Sequence, residues 1–583
     1  MKRTLVPLIL FTLLFIISTS AASAPLPFPL SPSLASASLP PAVDPQPYPF
    51  SDRYPVLIAV PGQADLTYIY GMNLDLDGLQ RLADGSLLVT AFVSPAEAAA
   101  LTKAGYDFVP IPNEGYNSYL AHGPNSLVPV PWPTYEEFVA RMQGLETSYP
   151  ALVDLSIIGT STLDVPIYCL EISDNVGVDE YEPEFRYIST MHGDETTGIE
   201  MTLRLAELLT ANYGNDPALT ALVDGIEIWI CPIYNVDGFI AGSRYNANGI
   251  DLNRNYPDRF TDPVDDPAGH EIETQVFMNF GYNHRFVMGA NYHGGTLVLN
   301  YPWDAVAAPG DPIIATYAPD DTLFHTFGLG YTSLNLPMFE STSFVDGLTR
   351  GWEWYQIYGG MQDWAYVYRG EHHVTIEVSF TGSPNYTQMD DYWEDNREAM
   401  LWWMSQVVTG FGGLVLDARD GTPLDAVVSV DGMEFPNFAR TDPAVGDYHR
   451  VILAGDYTLS AAANGYLGQS APISVLTGAL TSQDFYLCPT EMITLQGSVT
   501  QVFTGQPLAA TVALIGSPLS TATDPASGLF TLGICPSTYT LRASSPGYYP
   551  EERLVDLSTA STQDFTLVPI VAPEAMFLPL IIR

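Results

Sequence analysis

Continuous apolar runs alternate with amphipathic ones through the middle of this chain. Residues 166–173, 185–191, 226–233 and 373–380 read as strands, several of them apolar at nearly every position. That is the pattern of strands covered on both faces. Residues 135–149 and 197–213 carry apolar side chains at helical spacing. Buried strands alternating with such helices predict an α/β sheet, with helices on both faces, over about residues 130–410. Within it, residues 305–351 are rich in Gly, Pro, Asp and Thr and are expected to be loops rimming a site.

The pattern differs on either side of this region. Residues 55–112 predict a small α+β module, with strands at 56–60 and 87–93 and a helix at 94–104 opened by Ser94 and Pro95. Inside it, residues 73–78 (NLDLDG) with Asp84 imitate a calcium loop, but the first and last positions do not match; an acidic turn between strands is the better reading. Beyond residue 411 come short strands broken by Gly, Pro and Asp, and the sequence repeats itself. Thr441-Asp442-Pro443 returns as Thr523-Asp524-Pro525, Tyr457-Thr458-Leu459 as Tyr539-Thr540-Leu541, and Gln483-Asp484-Phe485 as Gln563-Asp564-Phe565. A period of roughly 82 residues suits two small β-sandwiches in tandem, 411–490 and 491–570. The tail, 571–583, is either a last strand or a terminal sorting signal.

At 583 residues the chain is too long for one core. Lys2 and Arg3 precede an apolar run at 5–17, and Ala22-Ser23-Ala24 offers a small-residue cleavage site, so residues 1–24 read as a secretory signal peptide. The run is short for an uncleaved anchor, and no later stretch is long and apolar enough to span a bilayer. A Pro/Ser/Ala-rich linker, 25–54, follows. The expected product is secreted, extracellular or at the cell surface. A net charge of −45 disfavours nucleic-acid binding, which needs a basic patch, and suits a solvated acidic surface. Among four cysteines, Cys169 and Cys231 lie in strand-like runs of one region; pairing and two buried thiols both stay open.

The candidate chemistry concentrates where strands end. His192 and Glu195 stand three residues apart at a strand-to-helix junction, so both side chains can face one point at the sheet's C-terminal edge. His293 follows another apolar run and precedes two glycines. Two imidazoles and a carboxylate form a common catalytic zinc set with one position left for water, though a helix-capping Glu beside a loop His explains the pair alone equally well. Asp251 is placed to orient a zinc imidazole from behind. Glu377 lies inside an otherwise apolar strand, where a carboxylate must be paired or working.

These stretches occur in an order that resembles the zinc carboxypeptidase family, and within it the carboxypeptidase D, E and N group. The resemblance rests on residues 187–198 (YISTMHGDETTG), 246–260 (NANGIDLNRNYPDRF), 291–304 (NYHGGTLVLNYPWD), 359–364 (GGMQDW) and 375–379 (TIEVS). It covers about residues 134–408 and implies a mixed sheet flanked by helices. It implies His192, Glu195 and His293 as ligands of one Zn2+, and Glu377 as the glutamate that takes a proton from water. Asn253, Arg254 and Tyr355 would hold the substrate's C-terminal carboxylate, and Arg244 would polarise the scissile carbonyl. Asp304, helped by Gln362, would receive a Lys or Arg side chain. The first sandwich would then be a transthyretin-like domain. The 55–112 module falls outside the resemblance; its position before the enzyme suggests a propeptide or folding aid, and a plain accessory domain is equally possible. The expected partners are peptide or protein C-termini; oligomeric state stays open. Two other readings fit the same residues: a cell-wall peptidase acting on peptidoglycan stem peptides, and a non-catalytic surface binder with a retired enzyme domain.

Overall fold

The computed structural model describes residues 39–82, 84–113 and 132–570. The expected signal peptide, residues 25–38 of the linker and the tail lie outside the described residues. The linker's end is not a free spacer: Tyr48 is buried against Phe92 and Tyr245.

The N-terminal module is a four-stranded sheet with two helices: β1 (Tyr54–Val60), α1 (Gln63–Gly71), β2 (Asp75–Arg81), β3 (Leu87–Val93), α2 (Pro95–Ala104) and β4 (Phe108–Pro110), in sheet order β2-β3-β1-β4. Ser94 caps α2 through a reciprocal pair with Glu97, as its position before Pro95 predicts. The segment expected to be an acidic turn is instead the edge strand β2, which pairs antiparallel with β3 from Asp75 onward.

The central domain is built on eight strands: β5 (Val153–Thr160), β6 (Pro166–Ile172), β7 (Glu184–Ser189), β8 (Glu227–Cys231), β9 (Phe286–His293), β10 (Leu297–Tyr301), β11 (Leu348–Arg350) and β12 (His372–Val378). Their order is β11-β10-β12-β9-β7-β8-β6-β5. The middle four, β12-β9-β7-β8, run parallel and the flanks add antiparallel pairs, so the sheet is mixed. All residues of β7, β8 and β9 are buried, because helices cover both faces. These helices include α3 (Tyr135–Ser148), α4 (Thr197–Asn212), α5 (Asp321–Leu334) and α6 (Met389–Ser405). Cys169 and Cys231, on β6 and β8, form a disulfide.

The stretch expected to be loops, 305–351, holds α5 and β11. Leu323, Phe324, Phe327 and Tyr331 bury one face of α5. Its glycines, which weaken any helical reading, are there for contact: a Cβ on Gly330 would overlap the Trp402 indole of α6.

After α6, two pairs of small sheets follow with the same strand pairing. Ala426–Val430 pairs with Gly455–Ala463, and Thr511–Ile515 with Ser537–Ser544. The repeated motifs have a common geometry. Thr441 Oγ1 donates to Leu424 O and accepts from Ala426 N (2.6 and 2.7 Å), and Thr523 does the same with Leu508 and Ala510 (2.5 and 2.8 Å). Tyr457 OH donates to Leu453 O, and Tyr539 OH to Cys535 O, both at 2.9 Å. Each repeat has its own apolar core, and a second disulfide, Cys488–Cys535, joins them. Arg450 of the first repeat reaches Asp320 (2.6 Å), which also accepts from Tyr366 OH (2.7 Å).

Candidate active site

Strand β7 ends at Ser189, earlier than the apolar run suggests, because Thr190 adopts φ 59° and turns the chain out of the sheet. A non-glycine residue in that region costs energy and is held by its surroundings; Thr190 Oγ1 donates to Glu195 O (3.2 Å). His192 and Glu195 sit on this turn, before α4. Gly193 lies so close to the backbone of Gly238 and Phe239 that a Cβ would overlap it, which fixes the turn's depth. His293 is the last residue of β9, and Glu377 lies beside it in the parallel register of β12.

Three ligand atoms, one each from His192, Glu195 and His293, lie within 4.8 Å of one another in a buried cluster. Glu195 reaches His192 Nδ1 through Oε1 and His293 Nδ1 through Oε2, both at 2.8 Å. The two Nδ1 atoms are 3.1 Å apart. His192 Nε2 is 3.1 Å from Asp251 Oδ1, so Asp251 fixes the ring with Nδ1 facing the cluster. Burial and Arg244 push the His192 imidazole down, but Glu195 and Asp251 outweigh them and lift it to about 10. His293, opposed by burial and favoured by Glu195 alone among the carboxylates, goes below its ordinary value. Glu195 is penalised by burial, yet the two imidazoles hold it far below the usual carboxylate range. Two convergent imidazoles with one ionised carboxylate, backed by a carboxylate behind the first ring, fit a zinc ion as a donor set.

Glu377 Oε2 is buried and has no hydrogen-bond partner among the described residues. Burial, then Glu195 and Asp77, raise the Glu377 carboxyl well above its ordinary value. A carboxyl of that kind in a cleft suits proton transfer.

Asp251 organises the other side. Its Oδ1 accepts from Asn253 N (2.8 Å), capping the single turn Leu252–Arg254 that presents Asn253 and Arg254. Its Oδ2 holds Arg244 Nη2 at 2.9 Å, and Arg244 Nη1 lies 3.1 Å from His192 Nδ1. Asn253 Oδ1 accepts from Met361 N (3.1 Å). Tyr355 is buried, and its hydroxyl is raised by burial and by Asp77 against Arg254. Asp304 is buried with Gln362 Nε2 at 3.0 Å and Asn300 Nδ2 at 3.3 Å on its Oδ1. Gly351 and Gly360 flank its two carboxylate oxygens, and a Cβ on Gly351 would overlap Oδ1. Asp363 receives Asp304 N (2.9 Å) and holds this loop in place. The structure thus brings all eleven sequence-predicted residues to one end of the sheet.

Sequence reasoning missed the acids opposite them. Asp77 Oδ1 lies 3.1 Å from Arg244 Nη1, and Asp75 Oδ1 lies 3.5 Å from Arg254 Nη2. Both come from β2, more than 150 residues upstream, so no local spacing points to them.

Residues 138–399 match the zinc carboxypeptidase family profile. Carboxypeptidase D of Rattus norvegicus is 36% identical over 471 residues, covering 75% of this chain and 33% of that protein. The catalytic chain of carboxypeptidase N of Homo sapiens is 32% identical over 391 residues, covering 60% of this chain and 85% of that one. The crystal structure of carboxypeptidase A from Helicoverpa armigera aligns at a TM-score of 0.47 and 17% identity, over 61% of this chain and 97% of that chain. The chain spans about a third of the length of the carboxypeptidase D relatives it matches. With family profile, relatives and the His–Glu–His cluster in agreement, the chain belongs to the zinc carboxypeptidase family.

Proposed function

We propose that this protein is an exported zinc-dependent carboxypeptidase that removes C-terminal residues from peptides, Lys and Arg foremost. The observation that carries the reading is the buried His192–Glu195–His293 cluster with Glu377 in register beside it and Arg254 on the same rim. Held by the first three residues, zinc supplies Lewis acidity toward water and a carbonyl oxygen. The chain's own groups do the rest. Arg254 binds the terminal carboxylate by charge-assisted bonds, with Asn253 and Tyr355 setting its orientation. Arg244 faces the oxyanion that develops at the scissile carbonyl. Glu377 takes a proton at Oε2 and returns it to the departing amine.

Asp304 supports the preference for a basic side chain. Burial and the neighbouring Asp363 push its carboxyl well above the ordinary value. A guanidinium or ammonium entering between Gly351 and Gly360 would meet that carboxyl and ionise it. Export is supported by the N-terminal sequence and by two disulfides. No helix among the described residues is long and apolar enough to cross a membrane. The two β-sandwich repeats, the first transthyretin-like, are read as separate domains after the catalytic one.

The zinc-loaded protein is expected to release Arg from a peptide ending in Arg, and to lose that activity on chelation. Glu377→Gln should retain zinc and lose activity by at least about 100-fold. Failure to release a C-terminal residue from any of a panel of peptides would refute the reading, and a protein that purifies without metal affinity would favour a non-catalytic binder.

A further inference from the structure

The end of the sheet opposite the His–Glu–His cluster carries a second group of metal-ligating side chains. Glu184 is the first residue of β7 and Glu227 the first of β8, and the parallel pairing sets them directly opposite each other. His284 closes the helix Ile272–Asn283, just before β9 begins at Phe286. One ligand atom from each of the three lies within 4.8 Å of the others. Glu184 Oε2 is 2.6 Å from His284 Nδ1, and Glu184 Oε1 accepts from Arg285 N (2.6 Å). The His284 ring is held among Phe280, Phe286 and Trp229, with centroids 4.6, 5.1 and 4.7 Å away. At about 3.3 Å per residue β7 spans roughly 17 Å, so this group is separate from the one beyond its other end.

What the group lacks is a cation. Both carboxylates are more than nine-tenths buried. Like charges directly opposite on neighbouring strands repel, and a buried carboxylate is costly unless it is paired. Elsewhere the chain meets that demand with guanidinium groups: Glu371 has Arg186, Asp320 has Arg450, and Glu200 has Arg141 and Arg204. Among the described residues no Lys or Arg forms an ion pair with Glu184 or Glu227; Glu184 has His284 alone. Arg285 turns its guanidinium to the carbonyls of Thr441, Tyr282 and His284 instead. Glu227 has one hydrogen bond among the described residues, from Trp229 Nε1 to Oε1 (2.7 Å), which leaves Oε2 without a partner.

We propose that Glu184, Glu227 and His284 form a second metal site, for a structural divalent ion of the zinc class. An imidazole nitrogen with two carboxylates is a zinc-type donor set, whereas calcium and magnesium take oxygen ligands. The ion supplies the positive charge that the two buried carboxylates lack. It also ties together the starts of β8, β7 and β9, which are neighbours in the sheet. The last two of these strands lead to His192 and His293 at their far ends. The role is stability rather than catalysis, and it does not depend on the peptidase reading.

Zinc alone is the probe. The untagged full-length chain is stripped with chelator, dialysed against micromolar zinc, and its metal content is measured by mass spectrometry. About two zinc ions per chain are expected for wild type, and about one each for Glu227→Gln and His192→Ala, which disable the two sites separately. Glu227→Gln should keep kcat/KM on an Arg-ended peptide within twofold of wild type. It should also lose the part of the zinc-dependent rise in Tm that His192→Ala retains. One zinc in wild type, or two in Glu227→Gln, would overturn the inference. If no peptide is cleaved but these counts hold, the second site stands and the peptidase reading falls. Should Glu227→Gln not fold, His284→Gln takes its place: loss of one zinc supports the site, and retention of both overturns it.

Discussion

Asp251→Ala tests how much of the zinc site is built behind its ligands. Asp251 is buried and holds four donors: His192 Nε2 at 3.1 Å, Asn253 N at 2.8 Å, and Arg244 Nε and Nη2 at 3.2 and 2.9 Å. Its removal frees the His192 ring to turn its Nδ1 away from Glu195 and takes away one of the two carboxylates that oppose burial at that imidazole. A lost carboxylate behind a zinc-bound imidazole costs about 10- to 100-fold in metal affinity, or roughly 1.4–2.7 kcal/mol. The same substitution uncaps the Leu252–Arg254 turn, so KM for an Arg-ended peptide should rise as well. Asp251→Asn keeps an acceptor for the backbone and the ring but not the charge, and should fall between. Competition against a chromogenic chelator at neutral pH measures the affinity. If Asp251→Ala binds zinc within twofold of wild type at unchanged Tm, the orienting role is wrong.

Three further outcomes follow from separate parts of the molecule. Asp304→Asn should cut kcat/KM on Arg- and Lys-ended peptides by about 30-fold or more, the size expected when a buried cation loses its partner, and leave a Phe-ended peptide nearly unaffected; equal loss on both would remove Asp304 from the pocket. Glu371 is buried against Arg186 (2.5 Å) and His373 (2.7 Å); burial raises its carboxyl, but these partners outweigh it and hold it at about 2. That stabilisation is present above the unfolded value of about 4.3 and is lost as pH falls toward about 2. Glu371→Gln should therefore cost about 3–5 kcal/mol at pH 7 and much less at pH 3 in denaturant titrations. Replacing Cys488 and Cys535 by Ser opens a cross-link across 47 residues, worth about 4 kcal/mol by loop entropy; melting of the repeat region should fall while peptidase activity holds.

What the sequence disclosed follows from where each signal resides. Strands β7, β8, β9 and β12 are buried on both faces, so their apolar runs are continuous and their existence was legible. Their ends were less so: β7 stops at Thr190 because of a backbone conformation that Glu195 helps to hold, a tertiary effect. Helix α5 was hidden because Gly328 and Gly330, which depress helical propensity, are required by the closeness of Leu348 and Trp402. The repeats were legible because Thr441 and Thr523, like Tyr457 and Tyr539, perform one local hydrogen-bonding task twice. Asp75 and Asp77 carried no such local signal. Their spacing suggested a metal loop or a turn, and only the packing of β2 on Arg244 and Arg254 gives them a meaning.

That packing also changes how the chain's acidity bears on its function. With 66 Asp and Glu against 21 Lys and Arg, cationic side chains are scarce, yet Arg244 lies against His192 and both Arg254 and Arg259 lie near enough to Asp304 to act on its carboxyl. Buried guanidinium groups need anions, and in a protein this acidic the nearest available anion is the chain itself. Arg259 has Asp363; Arg244 has Asp251 on one side and Asp77 on the other; Arg254 has Asp75. The partners differ in origin. Asp363 and Asp251 belong to the domain that forms the site, so they stay whatever binds. Asp75 and Asp77 come from a module that contributes none of the His–Glu–His cluster. A net charge of −45 would attract peptides with basic ends to the surface.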